Sequence, residues 1–90
     1  MQTKPLSELS VDDVIYLLES LNLGNYRTIF RENAIDGPTL MNCKSVNDVI
    51  ELGIDIVAKA RILYEEIDLF KSIEVSKYLY FIFPRMLYLN

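Results

Sequence analysis

Histidine is missing from all 90 residues, and cysteine occurs once, as Cys43. Without histidine, the usual metal ligand and the usual general base are both gone. One cysteine excludes an internal disulfide and suits a reducing compartment. As a nucleophile Cys43 would need a base, so the thiol reads as a buried or half-buried structural group. Long apolar runs are missing too. The longest, Tyr78 to Phe83, stops at Pro84, well short of the roughly 18 residues that cross a bilayer. The start, Met1-Gln-Thr-Lys-Pro5, has no apolar stretch of the secretory kind. The chain therefore reads as soluble, intracellular and cytoplasmic.

Positive charge is in deficit. Nine Lys and Arg stand against 13 Asp and Glu, for a net charge of −4. Nucleic-acid binders usually carry a basic field. Here the basic spots, Arg27/Arg31 and Lys59/Arg61, are small, so nucleic acid is not an expected partner. Adjacent acids, Asp12/Asp13 and Glu65/Glu66, do not face each other on a helix. No glycine-rich phosphate loop is present, and Asp36 and Asp48 do not make a calcium loop. No catalytic residue, cofactor, metal or small-molecule substrate is expected, and the chain does not read as an enzyme.

What remains is globular. Hydrophobic residues make up 51% and charged residues 24%, too apolar for a disordered chain. The length supports one domain with a modest core. Helix signals are plain. Ser10 is an N-cap, with Asp12 and Asp13 in the first turn and capping-box spacing from Ser10 to Asp13. Val11, Val14, Leu17, Leu18 and Leu21 share one helical face, which predicts a helix over residues 11–21, broken near Gly24. A second helix is predicted over 25–33, with Tyr26, Ile29 and Phe30 on one face. Asp36-Gly37-Pro38 marks a turn, and Pro38 starts a short helix that turns Leu40 and Met41 inward. Ser45 caps a helix over 46–52 with Val46, Val49, Ile50 and Leu52 on its apolar face, stopped by Gly53. The last helix, capped by Asp55, carries Ile56, Ala60, Leu63, Ile67 and Phe70 and reaches at least Ser72. Lys77 to Phe83 is the nearest candidate for a strand, but it would have no partner.

The residues say more than the element order. Ser10-Val-Asp-Asp-Val-Ile-Tyr-Leu-Leu-Glu-Ser-Leu-Asn-Leu-Gly-Asn-Tyr26, Phe30-Arg-Glu-Asn-Ala-Ile-Asp-Gly37, Leu40 and Asp48-Val-Ile-Glu-Leu-Gly-Ile54 together resemble the sterile alpha motif (SAM) family over roughly residues 6–71. The resemblance implies an all-α, five-helix bundle with a long C-terminal helix, here followed by an apolar C-terminal extension. It implies a domain at 6–72; the family does not explain 73–90, whose apolar residues read as an extension of the last helix, a self-association segment or the beginning of another domain. Gly37 and Gly53 would serve tight turns, and Ile35 and Ile54 would plug the core from between helices. Two departures stand out. Leu17 occupies the family's tryptophan position. Ile56-Val-Ala-Lys-Ala-Arg61 stands where the family often has Gly-His-Arg.

The resemblance also implies a function: protein–protein interaction by homo- or hetero-oligomerisation within a larger signalling or scaffold protein. The partner is another SAM domain or a second copy. The implied contact is head-to-tail. One side is the start of the last helix, with Asp55, Ile56, Val57, Lys59 and Arg61. The other is the mid-domain face, with Glu32, Asp36, Asp48 and Glu51. Ile56 and Val57 could instead be core, and Asp48 and Glu51 merely solvated. A second apolar stripe, Ile62, Leu69 and Ile73, could receive Tyr78, Tyr80, Phe81 and Phe83 within one chain or between two, with self-association favoured. Two alternatives stay open. The aromatic C-terminus could attach to a membrane surface. RNA-hairpin binding would need a basic cluster at the last helix, where only Lys59 and Arg61 stand, beside Asp55.

Overall fold

The computed structural model describes residues 4–75, with side chains as far as Ser72. Five helices come in the expected order: α1 Val11–Ser20, α2 Arg27–Glu32, α3 Gly37–Met41, α4 Val46–Glu51 and α5 Val57–Val75. Tight 3-10 turns occupy Leu6–Glu8 and Gly24–Tyr26.

The capping signals act locally as read. At α1 the Asp13 N–H donates to Ser10 Oγ at 3.1 Å, and the Ser10 N–H donates to Asp13 Oδ2 at 3.0 Å. Two donors that the helix itself cannot satisfy are thus paired reciprocally. The same carboxylate receives Lys4 Nζ at 2.8 Å. Lys4 first, then the Ser10 N–H, hold the Asp13 carboxyl below its ordinary value. At α4 the Asp48 N–H donates to Ser45 Oγ at 3.3 Å, and the Lys44 N–H donates to the Asp48 carboxylate at 2.7 Å.

The stop of α1 differs from expectation. Gly24 does not end it; Asn22 does, at φ 64°. The Leu23 N–H reaches back to the Leu18 carbonyl at 2.8 Å, and the Asn22 N–H to that of Glu19 at 3.1 Å. This is a Schellman closure with a left-handed residue just past the helix. It repeats at the end of α2. There Ala34 sits at φ 52°, and the Ile35 N–H donates to the Phe30 carbonyl at 3.0 Å. The closures turn Leu23 and Ile35 into the core, where both are buried.

The glycines divide their work. Gly53, at φ 127°, carries the chain from α4 towards α5. Gly37, at the Asp36-Gly37-Pro38 turn, is a place where a Cβ is resisted, as expected, and the reason is space rather than a positive φ. A Cβ there would collide with the Leu6 carbonyl oxygen and lie 2.9 Å from Leu9 Cβ. The Gly37 N–H donates to the Leu9 carbonyl at 2.9 Å, so the N-terminal segment lies directly on the start of α3.

The start of α5 is also corrected. The Ile56 carbonyl accepts the Lys59 and Ala60 N–H groups, each at 2.9 Å. Ile56 therefore holds the cap position, and Asp55 sits one residue outside it. Ile56 does not join the core stripe of α5, which runs through Ala60, Leu63 and Ile67. The preceding Ile54 is fully buried instead. Two side chains fasten α5 to the α3–α4 loop. The Tyr64 hydroxyl donates to the Lys44 carbonyl at 3.0 Å, and Lys71 Nζ donates to that of Cys43 at 3.1 Å.

The core gathers Leu6, Leu9, Val14, Ile15, Leu18, Phe30, Leu40, Val49, Leu63 and their neighbours. Each fully buried large aliphatic or aromatic side chain contributes about 1.5–3 kcal/mol. Leu17, at the family's tryptophan position, is only half-buried, while Ile15, two residues before it, is buried.

Candidate protein-interaction surface

The beginning of α5 is apolar and open. Ile56 and Val57 are 49% and 50% exposed, side by side. A β-branched aliphatic pair left half in water is costly on its own and suits a contact. Asp55, Ala58 and Arg61 around them are exposed, and Lys59 is half-buried. Among the described residues, Lys59 and Arg61 are in no ion pair. The other basic spot is different. Arg31 pairs with Asp12 at 2.8 Å, and Arg27 lies 3.8 Å from Glu19. Its charge is offset within the fold.

The four acids expected on the mid-domain face do not share one environment. Asp36 is the N-cap of α3, and its carboxylate accepts the Thr39 hydroxyl at 2.8 Å and the Thr39 N–H at 3.1 Å. The Thr39 hydroxyl, then the N–H, hold this carboxyl below its ordinary value. Asp48 is half-buried and engaged with the Lys44 N–H. Glu32 is exposed, and so is Glu51, which among the described residues has only a 3.4 Å contact from Asn47 Nδ2. The first two carboxylates are committed to helix starts; the last two face water with little internal engagement.

The second stripe of α5 is open as well. Ile62 and Leu69 are 44% and 55% exposed. The side chain of Ile73 and all of Tyr78, Tyr80, Phe81 and Phe83 lie outside the described residues.

One exposed aliphatic is not evident from the helical pattern. Periodicity places Ile29 with the core face of α2, yet it is 38% exposed. It rests on Gly53: a Cβ there would lie 2.9 Å from Ile29 Cδ1 and 3.2 Å from Cγ2. The signal available in the sequence is the glycine itself, which leaves a flat spot for a neighbouring side chain.

Among the described residues, no helix is long and apolar enough to cross a membrane, and no three acidic or cysteine side chains are grouped to hold a metal ion. What this small five-helix bundle offers a ligand lies on its surface. The family is shown directly: the model for the SAM domain (sterile alpha motif) matches residues 7–78, and the chain belongs to that family. It is 44% identical over 52 residues to SH3 and multiple ankyrin repeat domains protein 2 of Rattus norvegicus, covering 58% of this chain and 4% of that protein. The same-named protein of Homo sapiens matches at 44% over 52 residues, covering 58% and 3%. That of Xenopus laevis matches at 43% over 51 residues, covering 57% and 4%. The chain thus spans only a few per cent of the length of these relatives. No solved structure matches it.

Proposed function

We propose that this domain oligomerises with SAM domains, its own copies or others, as the assembly element of a larger scaffold or signalling protein inside the cell. The observation that carries the reading is the half-exposed Ile56–Val57 pair beside Lys59 and Arg61, on a chain of net charge −4. The apolar pair supplies the burial, and the basic rim steers and registers an acidic face such as that of Glu32 and Glu51. A contact between two different faces does not close on itself, so it builds a pair or an open array. Residues 73–90 act in this scheme as a separate self-association segment. The relatives, whose name combines SH3 and ankyrin repeat domains, support placement in a larger protein.

Light scattering across a wide concentration range tests this. The mass of the full chain should climb above 10.5 kDa as concentration rises. Truncation after Ser72 should lower the mass without abolishing the rise, and in that truncated chain Val57→Glu and Lys59→Glu should hold it near the monomer. A full chain that stays monomeric throughout, alone and mixed with other SAM domains, would overturn the reading.

A further inference from the structure

The α5-start surface has a third apolar member that comes from a different helix. Ile29, on α2, closes over Gly53, whose missing Cβ leaves room for its methyl groups. From Gly53 to Ile56 is three residues, at most about 10 Å of extended chain. Ile29, Ile56 and Val57 are all between 38% and 50% exposed. Exposed aliphatics so close form one patch rather than scattered positions. Lys59 and Arg61 add positive charge on the α5 side. The α1 side of α2 is closed off electrically by the Arg31–Asp12 and Arg27–Glu19 pairs.

We infer that Ile29 is a specificity-determining contact of this surface, and that the occupant is a second copy of this chain presenting exposed carboxylates. The inference rests on the proposed oligomerisation and deepens it: the docked copy is read by α2 as well as by α5. Charge complementarity selects the occupant. The patch is rimmed by two basic residues on an otherwise acidic chain. Glu32 and Glu51 offer the matching sign, whereas Asp36 and Asp48 are held by helix starts. Gly53 is the positioning residue, since a side chain there would displace Ile29.

Methyl NMR of the full chain over a dilution series tests this without altering the fold. The Ile29 Cδ1 signal should move with concentration along the same binding curve as Ile56 and Val57. Ile29→Asp should weaken association at least about tenfold, as expected of a central apolar contact, while the volume-conserving Ile29→Leu keeps it. If the Ile56 and Val57 signals move and Ile29 does not, the inference fails and the oligomerisation reading stands. If no signal moves and the mass stays monomeric, both fail.

Discussion

The backbone N–H of Ile35 donates to the carbonyl of Phe30 at 3.0 Å, and both side chains are buried in the same core. That closure forces Ala34, between them, to φ 52°. A Cβ in the left-handed region costs about 1–2 kcal/mol. Glycine removes that cost but adds back about 0.4–1 kcal/mol of unfolded-chain entropy. Ala34→Gly should therefore stabilise the domain by about 0.5–1 kcal/mol. Thermal melting would show it as a rise of several degrees. A lower melting temperature would mean that the exposed Ala34 methyl makes an unrecognised contact.

Gly37 gives the opposite result. A Cβ added there would collide with the Leu6 carbonyl oxygen and crowd Leu9 Cβ, and backbone cannot swing aside as a side-chain tip can. Gly37→Ala should destabilise by about 2–3 kcal/mol, at the upper end of overpacking costs. Urea unfolding measures it, with the slope expected to stay unchanged because the surface exposed on unfolding is the same. Gly24→Ala serves as the control, because its new Cβ would meet only the flexible side chains of Arg27, at its tip, and Glu19, at ordinary contact distance.

These two sites mark how far the sequence is legible. Ser10, Ser45 and Gly53 announce their helix boundaries because a cap is a local event between near neighbours. Ile35 and Ile54 are legible as core plugs because apolar residues in linkers have few other uses. Ala34 and Asn22 are not legible as helix ends. Their left-handed geometry is imposed by the burial of Ile35 and Leu23, and alanine does not advertise it. Leu6 and Leu9 escape the expected core because they belong to no amphipathic helix. On the surface, Asp36 and Asp48 look the same in sequence as Glu32 and Glu51. Only the three-dimensional cap bonds separate the carboxylates held by the fold from those that face water.

Asp13 and Asp36 set the acid limit. Both have folded-state carboxyls held below the unfolded value of about 3.8. Between the folded and unfolded values the unfolded chain binds more protons, so stability falls as the pH falls. Their contribution is fully present above the unfolded value and is lost as the pH drops through the folded one. Melting temperature measured from pH 6 to pH 2 should decline below about pH 4. Asp36→Asn keeps an N-cap acceptor but cannot titrate, so its decline should be shallower. Lys4→Met removes the main cause at Asp13 and should also flatten the curve. An Asp36→Asn curve parallel to that of the unaltered chain would show that the Thr39 bonds do not govern the titration.

Cys43 should behave as a reporter of opening. It is buried, and burial first, then the nearby Asp48 charge, push its thiol above 9.0 against the opposing Lys71. Reaction with a disulfide reagent needs a thiolate and a path to it. In the folded domain both are restricted, so labelling must wait for the α3–α4 loop to part from α5. That parting breaks the bonds from Tyr64 to Lys44 and from Lys71 to Cys43. At pH 8, labelling of the native chain should be at least about 100-fold slower than in urea. Tyr64→Phe should speed it severalfold, because losing one exposed hydrogen bond costs about 0.5–1 kcal/mol. If Tyr64→Phe lowers global stability by that amount but leaves the labelling rate unchanged, then Cys43 is reached by a motion that leaves this α5 contact intact.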